Sequence, residues 1–193
     1  MKTKTKRTRL TPVFNGKIIQ LNEEETILPN GHRKSFEIVR HPGAAAIVPL
    51  KENGSVILIR QYRYAVDGYL LEIPAGTLHP GEDPMVCAAR ELEEEIGYKA
   101  IRWQKLLPIF TAPGFCDEKI HLYLAQGLRE TRQRLDRDEI IERIEMPLSE
   151  AIAKILDGTI CDAKSIAALT RVYLRRQKNY ISNEGMHVRT SNL

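Results

Sequence analysis

The chain has 193 residues, of which 42% are hydrophobic and 28% charged, and its formal net charge is +4. That length suits one domain with at most a small accessory unit. No apolar run approaches the ~18 residues that a membrane-spanning helix needs, and no secretory signal is visible, so we expect a cytoplasmic protein without membrane partners. The cysteines Cys87, Cys116 and Cys161 are widely spaced, which favours free thiols over a disulfide framework or a zinc site.

Basic side chains crowd the beginning of the chain. Residues 1–10 contain no acidic residue and include Lys2, Lys4, Lys6, Arg7 and Arg9. No aromatic side chain is interleaved with them, as stacking on nucleic-acid bases would require. We therefore predict a solvated basic tail, and a nucleic-acid partner is the weaker interpretation.

Short strands separated by turn signals follow this tail. Residues 17–21 and 35–40 have the composition of strands, and Pro29-Asn30-Gly31 marks a turn between them. A unit of this size buries little core by itself, so we expect it to pack on another surface, in the same subunit or in a partner. The break at residues 41–43 defines an N-terminal unit of residues 1–41.

Two apolar runs open the main domain. Residues 44–50 and 56–60 flank an Asn53-Gly54 turn and predict a β-hairpin. Arg60 and Arg63 follow at the end of the second strand. A guanidinium offers two parallel hydrogen bonds to phosphate oxygens, so both are candidate phosphate ligands and Arg63 is the favoured one. The alternative is a pair of surface charges.

Residues 84–96 carry helix signals at both ends. Asp83 suits the N-cap, Pro84 the first helical position, and Gly97 the position just past the end. Apolar residues recur at three- and four-residue spacing, which predicts one buried stripe made of Met85, Ala88, Ala89, Leu92 and Ile96.

Carboxylates crowd the end of this helix. Glu91, Glu94 and Glu95 share a second face, and Arg90 can pair with Glu94 four residues later. Glu91 and Glu95 are then parallel carboxylates about one turn apart, which suits a hard divalent cation such as Mg2+. A solvated acidic face is the alternative, but the strand and tight loop at residues 70–76 favour the metal site.

Downstream strands and loops complete the domain. Residues 103–110 and 121–125 predict strands around a Pro113-Gly114 turn, which can aim Glu118 and backbone amides at a sugar or phosphate. Residues 129–138 are charged, lack periodicity and predict a mobile loop, followed by a last strand at residues 144–147.

Two helices close the chain. Ser149 is predicted to cap a helix that ends near Asp157, and Asp162 a second one over residues 163–177. Residues past 180 are predicted to be disordered. These boundaries give a main domain of residues 42–180 and a C-terminal tail of residues 181–193. The elements together predict an α/β fold, a mixed sheet with helices on both faces.

The helix and the loop before it match a known family motif. Gly76, Glu82 and the segment from Arg90 to Gly97 fill every fixed position of the Nudix box. The chain therefore resembles the Nudix hydrolases, whose α/β/α sandwich would cover the main domain. The resemblance implies hydrolysis of a small-molecule nucleoside diphosphate derivative with Mg2+, or with Mn2+. Structural roles within the box are implied for Gly76, Glu82, Arg90 and Gly97.

The same resemblance assigns the metal site. It implies ligation by Glu91, by Glu95 and by the carbonyl of Ala75, with Glu94 close by and Arg90 mainly orienting it. A glutamate late in the loop before the last strand would complete the metal site or activate water. Glu139 fits that pattern best. Glu142 and Glu94 are the rivals for the role of base, and Glu95 is counted among the catalytic candidates.

The Pro113-Gly114 turn with Glu118 resembles the signature that follows the box in ADP-ribose pyrophosphatases, although Ala112 replaces the usual serine. That branch implies cleavage of ADP-ribose to AMP and ribose 5-phosphate. It also implies a homodimer built through the N-terminal unit and an adenine pocket shared between subunits. Phe36 is the candidate for adenine stacking, and an ordinary strand aromatic is the alternative.

Two alternatives remain open. The box handles the diphosphate and not the flanking groups, so GDP-mannose, NADH or a related compound could be the substrate. A non-catalytic Nudix module that binds a ligand or regulates transcription is the alternative of another class. Such modules often lose box carboxylates, and this box is whole.

Overall fold

The computed structural model describes residues 5–137 and 139–187, with side chains up to residue 178. The N-terminal sheet is antiparallel and consists, in spatial order, of β1 (Lys6–Asn15), β2 (Gln20–Ile27) and β3 (Arg33–Arg40). β2 therefore begins at Gln20 and not at residue 17 as predicted. The helices of the described residues are α1 (Pro84–Ile96), α2 (Leu148–Leu156) and α3 (Ala163–His187).

Strand β1 shows that the predicted basic tail is a paired strand from Lys6 onward, although its basic side chains are exposed to solvent as predicted. β1 pairs with β2 along its whole length. Arg7 lies 3.4 Å from Glu24, and Arg9 lies 3.5 Å from Glu25. Opposite charges on neighbouring strands stabilise a sheet, and these acidic partners in β2 were overlooked in the prediction. Residues 1–4 lie outside the described part of the chain.

The N-terminal sheet packs on the main domain of the same chain. The Val39 N–H in β3 donates to the Phe115 carbonyl at 2.8 Å, and the Asp117 N–H donates back to the Val39 carbonyl at 3.1 Å. Arg40 reaches the Asp117 carboxylate at 2.8 Å. The expectation that this unit packs on another surface is thus confirmed within one subunit.

Two further sheets form the middle of the main domain. One contains, in spatial order, β7 (Ala75–Thr77), β4 (Ala44–Pro49), β10 (Lys119–Glu130) and β8 (Tyr98–Lys105), with β9 (Ile109–Phe110) also paired to β10. The other contains β11 (Ile141–Pro147), β5 (Ser55–Arg63) and β6 (Gly68–Glu72). β4 and β10 are parallel and the other pairs are antiparallel, so the predicted mixed character is confirmed.

Helices cover both faces of these sheets. In β4, Ala44, Ala46 and Val48 belong to a core shared with α2 and α3. Ala45 and Ile47, which alternate with them, belong to a second core under α1. Successive strand residues point to opposite faces, so β4 is buried on both sides. The predicted α/β/α sandwich is therefore confirmed.

Helix α1 begins and ends as predicted. The Asp83 carboxylate accepts from the Met85 N–H at 2.7 Å, Pro84 is the first residue, and Gly97 ends the helix with φ 70°. The buried stripe differs at one position, because Ala89 is exposed and Cys87 is buried instead.

The structure corrects three other predictions in the second half. The strand predicted over residues 103–110 is divided between β8 and β9. α2 begins at Leu148 directly after Pro147, so Ser149 lies inside the helix and does not cap it. α3 starts after the predicted cap Asp162, whose carboxylate accepts from the Ser165 N–H at 2.9 Å, but it continues to His187. Residues 181–187 are therefore helical, and residues 188–193 lie outside the described part.

The segment predicted as a mobile loop is tied to the end of α1. β10 continues to Glu130. The Thr131 N–H donates to the Gly97 carbonyl at 2.7 Å, and the Gln133 side chain donates to the Glu95 carbonyl at 2.6 Å. Arg134 N–H donates to the carbonyl at residue 94 at 2.9 Å. Carbonyl groups at the C-terminus of α1, which lack partners within the helix, thus bind residues 131–134.

Within the described residues, no helix has the length and apolar character required to cross a bilayer.

Candidate active site

A cavity of about 880 Å³ lies between the N-terminal sheet and the main domain. Its walls come from the N-terminal unit, the end of β5, the loop from β7, helix α1 and the loop before β11. Of the residues predicted for the site, the cavity brings together Arg63, Ala75, Gly76, Arg90, Glu91, Glu95 and Glu139. Wall residues that the sequence analysis missed include Lys17, Gln20, His41, Gln61 and Asp136.

Gly76 provides the space for Glu91. Glu91 is buried on α1, and its carboxylate lies so close to Gly76 that any side chain there would overlap it. Burial raises the pKa of Glu91, and the adjacent Arg90 offsets only part of that effect. The glycine of the box therefore has a steric role: it admits a buried carboxylate between the loop and the helix.

Glu95 is the most deeply buried acid of the cavity. It is 1% exposed, and its Oε2 accepts a hydrogen bond from the Ala75 N–H at 2.8 Å. Burial raises its pKa well above the ordinary value, and the charge of Glu91 raises it further. A buried carboxylate with one backbone donor is poorly compensated, so this side chain favours a proton or a cation.

Arg90 holds the acidic cluster together. Its Nε and Nη2 contact both carboxylate oxygens of Glu82, at 3.0 and 3.1 Å. Its Nη1 donates to Glu91 at 2.6 Å and to Glu94 at 3.0 Å. The bond to Arg90 is the main reason that the pKa of Glu82 falls to about 2. Arg90 therefore orients Glu94, as expected, and also fixes the loop at Glu82 and the carboxylate of Glu91.

Glu139 lies in the loop before β11, whereas Glu142 lies within β11. Glu139 lines the cavity, and its carboxylate accepts from the Asp136 N–H at 2.9 Å. Its charge contributes to the raised pKa values of Glu91 and Glu95. Glu142 instead lies opposite Arg60 in the sheet register, with 3.4 Å between their side chains. The geometry therefore places Glu139, and not Glu142, beside the acidic cluster.

The arginines of β5 are separated in the same way. Arg63 lines the cavity, whereas Arg60 lies outside it with its guanidinium 4.0 Å from the ring centre of Tyr69. Residues of odd and even number on a strand face opposite sides, which explains the difference. Arg63 is also bound by Glu72, through Nε at 3.0 Å and Nη2 at 2.7 Å.

The remaining predicted residues lie away from the cavity within this chain. Phe36 lines a smaller groove between the N-terminal sheet and the Pro-Gly turn, and Lys34 lies 4.9 Å from its ring centre. Gly114 is exposed in that turn. Glu118 lies behind a cavity wall residue, with its Oε1 3.5 Å from His41 Nδ1. The sequence signals were local and did not show which surface each residue would face.

The donor set fits a hard divalent cation. Glu91 and Glu95 supply two buried carboxylates of raised pKa on one helix face, and oxygen donors of this kind suit Mg2+ or Mn2+. Among the described residues, however, no three acidic, histidine or cysteine side chains form a ready-made metal cluster. Glu91 is bonded to Arg90, and Glu139 is bonded to the backbone of its own loop. Cation binding therefore requires local rearrangement of these carboxylates.

A family model described as NUDIX domain matches residues 39–169. Because that match covers more than half of the chain, the chain belongs to the Nudix family. Hydrolases of this family generally depend on a divalent cation.

The chain is also similar to particular members of known function and to a solved structure. The chain is 42% identical over 165 residues to a methanol dehydrogenase activator of Bacillus methanolicus, covering 84% of this chain and 89% of the relative. It is 40% identical over 165 residues to an ADP-ribose pyrophosphatase of Bacillus subtilis, with the same coverage. It is 39% identical over 160 residues to a GDP-mannose pyrophosphatase of Cronobacter sakazakii, covering 74% and 83%. A crystal structure of an ADP compounds hydrolase superposes with a TM-score of 0.76 at 26% identity, covering 91% of this chain and 96% of the other.

Proposed function

We propose that this protein hydrolyses the pyrophosphate bond of ADP-ribose, or of a closely related ADP-sugar, to AMP and ribose 5-phosphate with Mg2+. The observation that carries the proposal is the pair of buried carboxylates, Glu91 and Glu95, on one wall of a cavity that also contains Arg63. Similarity to an ADP-ribose pyrophosphatase and to an ADP compounds hydrolase supports the choice of substrate.

Each wall residue has a separate role in this proposal. Glu91, Glu95 and the carbonyl of Ala75 would hold the cation, with Glu139 completing the set. The cation, when bound, neutralises phosphate charge and lowers the pKa of bound water. Arg63 binds phosphate oxygens, because its guanidinium reaches the cavity and carries a fixed positive charge.

Proton transfer is assigned to the carboxylates next to the cation site. Glu139 accepts the proton of the attacking water, because it lies in the cavity and its carboxylate is held there by a backbone hydrogen bond from Asp136. Glu94 is held by Arg90 at 3.0 Å and is the alternative acceptor. Arg90 keeps Glu91 and Glu94 in place through hydrogen bonds to both carboxylates.

A substrate panel tests the proposal. Purified protein with Mg2+ is incubated with ADP-ribose, GDP-mannose and NADH, and the products are identified by chromatography and mass spectrometry. We expect AMP and ribose 5-phosphate from ADP-ribose at the highest kcat/KM. GDP-mannose is the second candidate because of the pyrophosphatase relative that acts on it. Hydrolysis of GDP-mannose in preference to ADP-ribose would replace the proposed substrate, and no hydrolysis at all would favour a non-catalytic Nudix module.

We also propose a homodimer formed through the N-terminal sheet. Its support is the set of apolar side chains exposed in this unit, namely Leu10, Val13, Phe14, Ile18 and Ile19. Ile18 also lines the cavity, so a partner covering this surface would reach the substrate, and Phe36 is proposed to stack on adenine in such a dimer. Light scattering after gel filtration should give twice the monomer mass, and Phe14→Glu should reduce it to the monomer mass. A monomeric wild type would contradict this proposal.

The cellular location is proposed to be the cytoplasm. The cysteines Cys87, Cys116 and Cys161 are all free in the structure, as a reducing compartment allows.

The identity of the cation as Mg2+ is tested by removing metal with a chelator and comparing the activity after addition of Mg2+, Mn2+ or Ca2+.

A further inference from the structure

A buried network of charges lies behind the cavity wall. Glu72, at the end of β6, is 1% exposed and accepts from Arg63 on one side. On the other side, Lys164 in the first turn of α3 donates to Glu72 Oε2 at 2.5 Å. The Lys164 side chain is only 10% exposed. The network therefore joins a cavity residue to a helix that does not reach the cavity.

The end of α3 is itself fixed to the strand that leads into the site. Lys164 Nζ also lies 3.0 Å from Asp162, and the Asp162 carboxylate accepts from the Ser165 hydroxyl at 2.5 Å. The Ser165 hydroxyl oxygen accepts from the Ile73 N–H at 2.8 Å. Ile73 lies two residues before Ala75, whose N–H binds Glu95. The backbone after β6 is thus hydrogen-bonded to α3 at Ile73 and to α1 at Ala75.

The network leaves one edge of Arg63 unoccupied. Glu72 engages Nε and Nη2, whereas Nη1 has no hydrogen-bond partner among the described residues. Glu72 is shared between Arg63 and Lys164, and Lys164 also contacts Asp162, so the network holds two carboxylates and two cations. Glu72 engages only the Nε–Nη2 edge of Arg63, so the guanidinium is oriented while its Nη1 edge can still donate to phosphate oxygens.

We propose that Lys164 is a positioning residue for substrate binding: it shares Glu72 with Arg63 and so keeps the free edge of Arg63 positive and directed into the cavity. This inference rests on the role of Arg63 in the proposed function. Lys164 itself touches neither the cavity nor the acidic cluster of the box. The expected consequence is on the KM of a diphosphate substrate, with a small effect on kcat, because Arg63 binds phosphate and does not transfer the proton.

A double-mutant cycle between Lys164 and Arg63 tests the inference. Lys164→Gln removes the charge but keeps a hydrogen-bond donor for Glu72, and Lys164→Arg keeps the charge. We expect Lys164→Gln to raise KM about tenfold and to change kcat less than about threefold, and Lys164→Arg to restore KM to within about twofold of wild type. In an Arg63→Met background, Lys164→Gln should raise KM no further, because it acts through Arg63.

Matched variants and outcomes separate this role from a purely structural one. Lys154→Gln makes the same change on α2, where Lys154 faces Glu150 at 3.8 Å on the surface, and should leave KM unchanged. Thermal melting of every variant reports folding, and Lys164→Met replaces Lys164→Gln in the cycle if Lys164→Gln does not fold. Additive effects in the cycle, or an unchanged KM in Lys164→Gln, would overturn the inference while leaving the proposed function intact.

The substrate used in the double-mutant cycle distinguishes a failure of this inference from a failure of the proposed function. If wild type cleaves GDP-mannose and not ADP-ribose, the proposed substrate is wrong. The cycle is then run with GDP-mannose, because Arg63 is proposed to bind the diphosphate that both compounds contain. A wild-type protein that cleaves neither compound overturns the inference together with the function.

Discussion

The Glu91 carboxylate fills the space that a side chain at Gly76 would occupy, and it fits there because Gly76 has no side chain. A Cβ built on Gly76 would lie 1.7 Å from Glu91 Oε1 and 2.0 Å from its Cδ. A real Cβ would displace the carboxylate from its position between the loop and α1. Gly76 therefore controls where one of the two buried carboxylates can point.

Gly76→Ala should abolish most of the activity, because the Glu91 carboxylate must leave its position beside residue 76. We expect kcat/KM to fall by about two orders of magnitude, which corresponds to roughly 2.7 kcal/mol of lost transition-state stabilisation. Steady-state kinetics with Mg2+ measure the loss. Gly68→Ala is the matched control, since the nearest atom to its Cβ would be the Val66 carbonyl oxygen at 3.7 Å. Wild-type activity in Gly76→Ala would show that the position of Glu91 is unimportant.

Glu95→Gln should keep the fold and reduce turnover by about two orders of magnitude or more, because the amide retains the hydrogen bond from Ala75 but cannot supply a charged ligand. Isothermal titration with Mn2+ should show weaker binding by about 10- to 100-fold. Glu93→Gln is the control on the same helix, where Glu93 contacts Lys99 and Arg134 on the surface. Near-normal turnover in Glu95→Gln would remove Glu95 from the catalytic site.

The stability of the metal-free protein should depend on pH through Glu95. Folding raises the pKa of this carboxyl above its ordinary value of 4.5. Its protonated form therefore favours the folded state at low pH, and that contribution is lost as pH rises through the raised pKa. We expect Glu95→Gln without metal to melt at a higher temperature than wild type, by a margin that grows above pH 4.5.

Added Mg2+ should remove this difference. Cation binding to the folded state stabilises the wild type by mass action, and Glu95→Gln lacks one ligand. Differential scanning fluorimetry at several pH values, with and without Mg2+, measures both effects. A wild-type melting temperature that is insensitive to Mg2+ at neutral pH would contradict the assignment of the site.

Glu139→Gln and Glu142→Gln should differ strongly. Glu139 lines the cavity, so loss of its basic carboxylate should lower kcat by about 10²–10⁴-fold with little change in KM. Glu142 pairs with Arg60 and does not line the cavity, so its removal should leave kcat within about twofold. If Glu142→Gln proved to be the damaging substitution, the register of β11 against β5 would have to be reconsidered. If neither mattered, Glu94 would be the remaining base.

Some features of the site follow from short stretches of sequence. The caps Asp83 and Gly97, the length of α1 and the common face of Glu91 and Glu95 were all predicted. Helix caps and the 3.6-residue period involve residues within a few positions of one another, so a local pattern is sufficient. The box pattern also indicated the family, which the match over residues 39–169 confirms.

Other features depend on contacts between distant segments. Arg7 and Arg9 were predicted in a tail because their acidic partners, Glu24 and Glu25, lie in β2, across a turn. Residues 129–138 were predicted as a mobile loop because the C-terminus of α1, which binds residues 131–134, lies more than thirty positions earlier. Charge and composition alone do not show such long-range pairing.

The sequence by itself determined the class of fold and the two carboxylates that make a cation site plausible, since both are encoded within single elements. The sequence favoured one arginine and one late glutamate without excluding the others, and the tertiary structure decided which of them reach the cavity. Arg63 and Glu139 do so, and Arg60 and Glu142 do not. The physical reason is that successive residues of a strand face opposite sides. Packing against α1 on one side and against α2 and α3 on the other decides which of these residues face the cavity.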